Sequence, residues 1–286
     1  QPLLDTNSQL QQLRQYYRFS NVAVDRYRLK KDSKERQQVM ITAREMDQKE
    51  LPLTSRTWLN KHFVFTHGYG FTVSPINTKA SDGLPEYFIS DLGTSTSIRG
   101  SQSLDIKEQE VKDSIPVGRA AIYYGMLPAN YVIAPSKIKE LDYPQGDQNI
   151  FNHYEGSGGI SLNNLFNRLS AAIYIKEPRL LNTGSLTPSS KLLIRREVRS
   201  RLRAIAPFLK VIGNPYLIST NIKNRPSDYN ENQYQYWIVE AYTESATYPY
   251  AAKLSDKKPI RYIRNSVKAV IDSYNGSIKL YITEPN

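Results

Sequence analysis

Histidine, carboxylates, glycine and tyrosine crowd into two short stretches of this chain, residues 57–70 and 142–159. The first closes on Phe65-Thr-His-Gly-Tyr-Gly70 and the second on His153-Tyr-Glu-Gly-Ser-Gly-Gly159. Together they hold all three histidines, His62, His67 and His153, and six of the fourteen glycines, so any site is expected here. The candidate binding residues are His67, Gly68, Tyr69, Gly70, Asp147, Asn149, His153, Tyr154, Glu155, Gly156, Gly158 and Gly159.

Four chemistries fit these residue types. A zinc site needs three or four ligands. His62 and His67 are five apart and would diverge by about 140° on one helix of ~3.6 residues per turn, so a shared ion requires a break between them. Asp147, Asn149 and Glu155 offer oxygens to calcium, but without the spacing of an EF-hand loop. Histidines filling polar slots beside aromatic rings are the preferred reading, and no metal or cofactor is expected. Gly156-Ser-Gly-Gly159 superficially looks like the glycine-flanked serine of trypsin-like proteases. Glu155-Gly156 stands where Gly-Asp belongs, however, and no Gly-x-Ser-x-Gly elbow occurs. A glycine loop ahead of a helix can cradle phosphate on free backbone amides. Ser161 stands where the last glycine of that pattern belongs, no Walker lysine follows, and Glu155 would repel the anion. Glycines that let the chain turn tightly against aromatics are the simpler account.

The fourth is a cationic face. The net charge is +11, and residues 191–210 carry seven Lys or Arg and one Glu, leaving +5 for the rest. Arg195, Arg196, Arg199 and Arg203 lie off the apolar stripe of an expected helix as a cationic face, either simply solvated or answered by anionic lipid head groups, nucleic-acid phosphates or neighbouring carboxylates. Nucleic acid is disfavoured, since no recognised nucleic-acid module accompanies the charge.

The elements that must position these residues read as α+β, antiparallel and strand-rich with several packed helices, because helices and strands come in separate runs. Asp5-Thr6 can cap a helix through Leu10, Leu13 and Tyr17. Residues 22–29 and 38–46 alternate as a hairpin. A short helix is expected from Thr54 or Ser55 through His62, ending near Gly68, then strands at 71–74 and 87–90. Residues 93–118 are polar and read as a long surface loop, followed by strands at 121–125 and 131–134.

Leu162, Leu165, Phe166, Leu169 and Ile173 form an apolar stripe capped by Ser161. A second helix starts at Thr187-Pro188 with Ile194, Val198, Leu202, Ile205 and Leu209 as its stripe, interrupted at Pro207. Strands at 215–220 and 234–243 precede a hairpin about Asn275-Gly276. Two portions are expected, 1–135 and 136–286, unless they form one continuous domain.

Twenty-one tyrosines suit half-buried sheet faces, the preferred reading over a glycan-binding surface, which would also be rich in tyrosine. With no cysteine there is no disulfide or thiolate chemistry. No apolar run is long enough to span a membrane. The chain opens Gln1-Pro-Leu-Leu and closes just after a strand, and is expected to be a part of something longer.

An ordered set of motifs carries a resemblance. Gln11-Gln-Leu-Arg-Gln-Tyr-Tyr17, Val24-Asp-Arg-Tyr27, Phe65-Thr-His-Gly-Tyr-Gly70, Tyr143-Pro-Gln-Gly146 and Tyr154-Glu-Gly-Ser-Gly-Gly159 come first. Arg203-Ala-Ile-Ala-Pro-Phe-Leu209, Tyr236-Trp-Ile-Val-Glu-Ala-Tyr-Thr243, Tyr248-Pro-Tyr250 and Tyr262-Ile-Arg-Asn-Ser-Val-Lys-Ala-Val270 follow. On these the chain resembles uncharacterised protein family 0182, multi-span membrane proteins of cyanobacteria and actinobacteria. The resemblance implies the first part of a large extracytoplasmic region, anchored to the cell membrane through segments outside this chain, and it implies no activity. Tyr123-Tyr-Gly-Met126 departs from a Tyr-Phe-Gly-Glu pattern, Ser157 stands where many members have Thr, and residues 94–117 enlarge a shorter loop.

A non-catalytic binding or structural role in the envelope is therefore expected, with a lipid, glycan or protein partner. The alternatives are a metal-assisted hydrolase using His67, His153 and Glu155, and nucleic-acid or anionic-lipid binding through the arginines. Geometry decides whether residues 66–70 and 152–159 meet around an open cleft.

Overall fold

The computed structural model describes residues 16–29, 35–79, 83, 86–92, 104–106, 109–127, 130–145, 148–221 and 233–283. Its architecture is α+β, with antiparallel sheets and short helices. The first hairpin forms as its alternation predicts: Tyr17–Tyr27 pairs antiparallel with Gln37–Met46. Phe71–Pro75, Ile89–Leu92 and Leu104–Ile106 extend that sheet in order. A helix reaching Tyr17 is not what forms there, since Tyr17 opens the first strand; the rest of that expected helix lies outside the described residues.

The second large sheet is built on Gln235–Ser245, flanked on one side by Lys210–Val211 and Tyr216–Ser219 and on the other by Tyr262–Asp272 and then Ile278–Ile282. The Asn275-Gly276 signal marks the turn of its last hairpin. Asp272 Oδ1 accepts from the backbone N–H groups of Tyr274 (2.8 Å) and Asn275 (3.0 Å), and Gly276 takes φ 69°, a left-handed value that glycine tolerates. One buried cluster joins both sheets, with Val39, Ile41 and Phe71 from the first and Trp237, Val239 and Ile271 from the second. Trp237 is fully buried and its indole N–H donates to Tyr124 O at 2.8 Å, so truncating it to Ala removes about 3–5 kcal/mol of packing.

The described helices are α1 (Gln109–Ser114), α2 (Leu165–Ile175), α3 (Arg179–Asn182) and α4 (Val198–Ile205), besides a 3-10 turn at Leu53–Ser55 and a π-helical turn at Asn60–Val64. Three expectations need correction. Residues 93–118 are not all surface loop: Leu104–Ile106 joins the first sheet, and Val111, Ile115 and Val117 are buried in the main core, while 93–103 lie outside the described residues. Val111 and Ile115, four apart on and just beyond α1, meet the core on one side of a single turn.

The second correction is α2. Asn164 rather than Ser161 caps it, accepting from Asn167 N–H, and Lys176 ends it in a left-handed conformation. Its apolar stripe faces outward: Leu165 is 74% exposed, Phe166 77% and Ile173 69%. The buried side is Ala171 and Ala172, small enough for the helix to lie close on a second cluster around Phe63, Leu162, Leu180 and Leu192.

Third, no helix starts at Thr187. Lys191–Leu193 pairs instead with both Val132–Ala134 and Ile160–Ser161, and α4 begins only where Glu197 accepts from the N–H groups of Arg199 and Ser200. It stops at Ile205, ahead of Pro207.

Candidate functional site

Strand Glu140–Gln145 carries Glu140 and Asp142, the latter at a bulge where Ile150 pairs with Tyr143 and Phe151 with Leu141. Both carboxyls are buried. Three donors close on Glu140. Thr66 Oγ1 (2.5 Å) and Tyr123 OH (2.7 Å) donate to Oε2, and the Tyr154 backbone N–H donates to Oε1 at 2.7 Å. The two histidine-glycine stretches thus do meet, but around a buried carboxylate and packed rings rather than an open cleft. Burial pushes Glu140 up to about 7, opposed by those three bonds and by Arg196. Asp142 is also pushed up to about 7, first by burial and then by Glu140.

His67 sits beside this pair, fully buried. Its Nδ1 is 3.0 Å from Gly68 O, which can only accept, so Nδ1 carries the proton there. Nε2 faces Asp142 Oδ1 at 3.8 Å. Burial, reinforced by the charge of Arg196, holds the imidazole down to about 4, so at neutral pH His67 is uncharged and forms no ion pair. His62 is likewise enclosed, stacked on Tyr131 at 3.9 Å with its Nδ1 2.6 Å from Tyr131 O.

Arg196 is the countercharge of the junction. It is 4% exposed and donates to Tyr123 O (2.7 Å), Asn130 O (3.1 Å) and Thr66 O. Burial lowers it to about 10, still cationic at neutral pH, and its field acts on both Glu140 and Glu45. Glu45, raised by burial, accepts from the Met126 (2.8 Å) and Leu127 (3.1 Å) N–H groups. The expectation of an exposed cationic side chain at Arg196 is therefore corrected. It precedes α4 instead of lying on its outer side, and its hydrogen bonds bind three loops together. Arg195 and Arg203 are exposed, and Arg199 is half-buried beside Asn214.

The glycines of the second stretch serve close packing. A Cβ on Gly156 would fall 2.2 Å from the Tyr154 ring, and one on Gly158 only 2.0 Å from Asn275 O. Ser157 N–H donates to Asn275 Oδ1 (2.9 Å), and Glu155, exposed, pairs with Arg119 at 2.5 Å. Strand Ile160–Ser161 separates this loop from α2, so its amides do not crown that helix as a phosphate cradle would require.

Gly68, Tyr69 and Gly70 are buried with His67, and Tyr154 with Gly156; Asn149, His153 and Gly159 are exposed, and Asp147 lies outside the described residues. His67, His153 and Glu155 are not brought together. Among the described residues no three His, Asp or Glu side chains are grouped to hold a metal. Sequence reasoning missed Glu140, Tyr123 and Arg119; the available signal was two acids, Glu140 and Asp142, close together in one strand at the edge of the second stretch.

Accessible space lies next to the junction, in two grooves divided by α4. One, of about 660 Å³, is lined largely by apolar groups including Ile160, Phe166, Tyr174, Ile194 and Ile205. The other, of about 640 Å³, is polar and is lined by all four of Arg195, Arg196, Arg199 and Arg203. Arg195 borders both.

The model of the uncharacterised protein family UPF0182 matches residues 1–286. The chain belongs to this family. A UPF0182 protein of Prochlorococcus marinus (strain MIT 9303) is 67% identical over 285 residues, covering 100% of this chain and 30% of that protein. One from Synechococcus sp. (strain CC9311) is 56% identical over 286 residues, covering 100% and 31%, and one from Synechococcus elongatus 47% over 285, covering 99% and 30%. The chain thus spans about 30% of the length of the curated relatives it matches. No solved structure matches it.

Proposed function

We propose that this chain is an extracytoplasmic, non-catalytic binding domain of a longer membrane protein of the cell envelope. The observation that carries the binding role is the outward side of α2, where Leu165, Phe166, Leu169, Ile173 and Tyr174 stand in water beside arginine-lined space. Contiguous apolar exposure rimmed by polar groups is the mark of an interaction surface. The junction supports a structural reading of the two stretches, because Glu140 is enclosed and accepts hydrogen bonds from Thr66, Tyr123 and Tyr154. The membrane setting is what the family resemblance implies, and coverage of only 30% of the Prochlorococcus relative leaves room for an anchor in other segments. Among the described residues no helix is long and apolar enough to cross a membrane, and in this reading the anchor is supplied by other segments of the protein.

Flotation with vesicles tests the binding surface. The chain should float with vesicles containing anionic phospholipid and remain behind with purely zwitterionic ones. Equal flotation with both, unchanged when Arg195 and Arg203 are neutralised, refutes the lipid-facing surface. Protease added to sealed right-side-out vesicles carrying the whole protein should cleave this domain; protection refutes the extracytoplasmic placement.

A further inference from the structure

Helix α4 presents different chemistry on its two sides. Arg201, Ala204 and Ile205 line the apolar groove, while Arg199, Ser200 and Arg203 line the polar one. The far wall of the apolar groove is α2, which contributes Phe166, Ser170, Ala171 and Tyr174. Its volume of about 660 Å³ is within the roughly 300–1,000 Å³ of small-molecule sites. Arg195 stands where the two grooves adjoin. Its backbone is left-handed (φ 51°), a conformation that non-glycine residues seldom hold, and its guanidinium donates to Tyr174 OH at 3.1 Å across the apolar side. Arg201 is already committed, donating to Gly276 O at 2.6 Å and lying 4.6 Å over the Tyr124 ring, so it forms part of the groove and not of a charged rim.

The charge around this pair of grooves is one-sided. Residues 156–176 and 184–213 contain nine Lys or Arg and a single acid, Glu197. Glu197 is occupied in capping α4, and Asp47, the other acid lining the polar groove, is paired with Arg18 at 3.1 Å. Five cations, Arg195, Arg196, Arg199, Arg203 and Lys49, line the polar groove against those two acids, and Arg195, Arg203 and Lys49 are the exposed ones. An occupant complementary to both halves has an aliphatic tail and an anionic head.

Resting on the proposed binding role, we infer that the two grooves together hold one anionic membrane lipid. An acyl chain lies between α2 and α4, and the headgroup phosphate is held by Arg195 and Arg203. Arginine suits this task because its planar fork meets phosphate oxygens in pairs.

The test is calorimetric titration of the chain with palmitoyl lysophosphatidylglycerol and with uncharged monopalmitoylglycerol, both below their micelle concentrations. The anionic probe should bind at least tenfold tighter. Arg203→Gln, which lies off the chain groove, should lower that preference and leave the uncharged probe within about twofold, and Arg195→Gln with Arg203→Gln should abolish the preference. Ser170→Trp, at an exposed position and so compatible with folding, should weaken both probes at least tenfold by filling the chain groove. Shortening the tail by two methylenes should weaken binding on the order of fourfold, as expected for a chain that is about half enclosed.

Equal affinity for the two probes, or binding indifferent to Ser170→Trp, overturns the inference. A chain that floats with anionic vesicles yet takes up neither monomeric probe also overturns it, while the lipid-facing surface stands. Failure of both assays removes the two together. Uptake of neither probe, with groove amides protected from exchange only in the longer protein, assigns the space to another segment of that protein.

Discussion

Replacing Glu140 by Gln isolates what a buried carboxyl does to the pH dependence of folding. Glu140 rises from an ordinary 4.5 to about 7 in the folded protein. At ~1.4 kcal/mol per unit, that difference amounts to about 3 kcal/mol. The sign follows from proton counts. Between pH 4.5 and 7 the folded protein holds a proton at this position that the unfolded chain has released, so stability is fully present below 4.5 and is lost as pH rises through 7. About 2.5 kcal/mol of that loss falls between pH 5 and 8.

Glutamine keeps the shape and still accepts from the Tyr154 N–H, but does not titrate. Asp142 contributes in the same direction, and part of its elevation comes from Glu140 itself, so relief of Asp142 adds to the effect. His67 contributes oppositely: held down to about 4, it confers stability above its ordinary 6.5 that is lost as pH falls through 4. His67 cancels between the two proteins, so their difference reports Glu140 together with the part of the Asp142 elevation that Glu140 causes. Urea unfolding in steps from pH 5 to 8 should show the stability of the parent relative to Glu140→Gln falling by about 2.5 kcal/mol. A difference constant within about 0.5 kcal/mol, or one that grows with pH, refutes the burial argument.

Gly158→Ala should cost about 1–3 kcal/mol, because its Cβ meets the Asn275 carbonyl, whereas Gly184→Ala, with nothing within 4 Å, should be neutral or slightly stabilising; melting temperatures compare the two. Arg196→Met should cost about 3–5 kcal/mol by leaving three carbonyls without their donor and removing the positive field on Glu140 and Glu45, and Arg203→Gln less than about 0.5, as denaturant titration would show. Phe166→Ser, at 77% exposure, should leave the thermal melt almost unchanged while weakening vesicle flotation, and Ala171→Asp, at 7%, should lower the melt sharply.

Much of the strand framework was legible locally. Alternation at 22–29 and 38–46 and the Asn275-Gly276 turn both gave hairpins, since neighbouring residues alone settle a short antiparallel pairing. The two stretches were singled out as the place for a site, with their meeting left to the geometry, and the residue joining them, Glu140, escaped notice. A lone acid in a strand shows its importance only when Thr66, Tyr123 and Tyr154, far off in the chain, converge on it.

By itself the sequence determined family membership, the α+β character, the spacing of apolar residues on α2 and the concentration of positive charge at 191–210. Tertiary structure decided which side of α2 faces the core. Periodicity measures where apolar groups lie around a helix, but the side that packs is the one whose shape lets neighbours approach, here Ala171 and Ala172. Tertiary structure likewise turned Arg196 inward and left Arg195 and Arg203 outside. A charged side chain is buried only where distant carbonyls and carboxylates supply its partners, and no short window of sequence contains them.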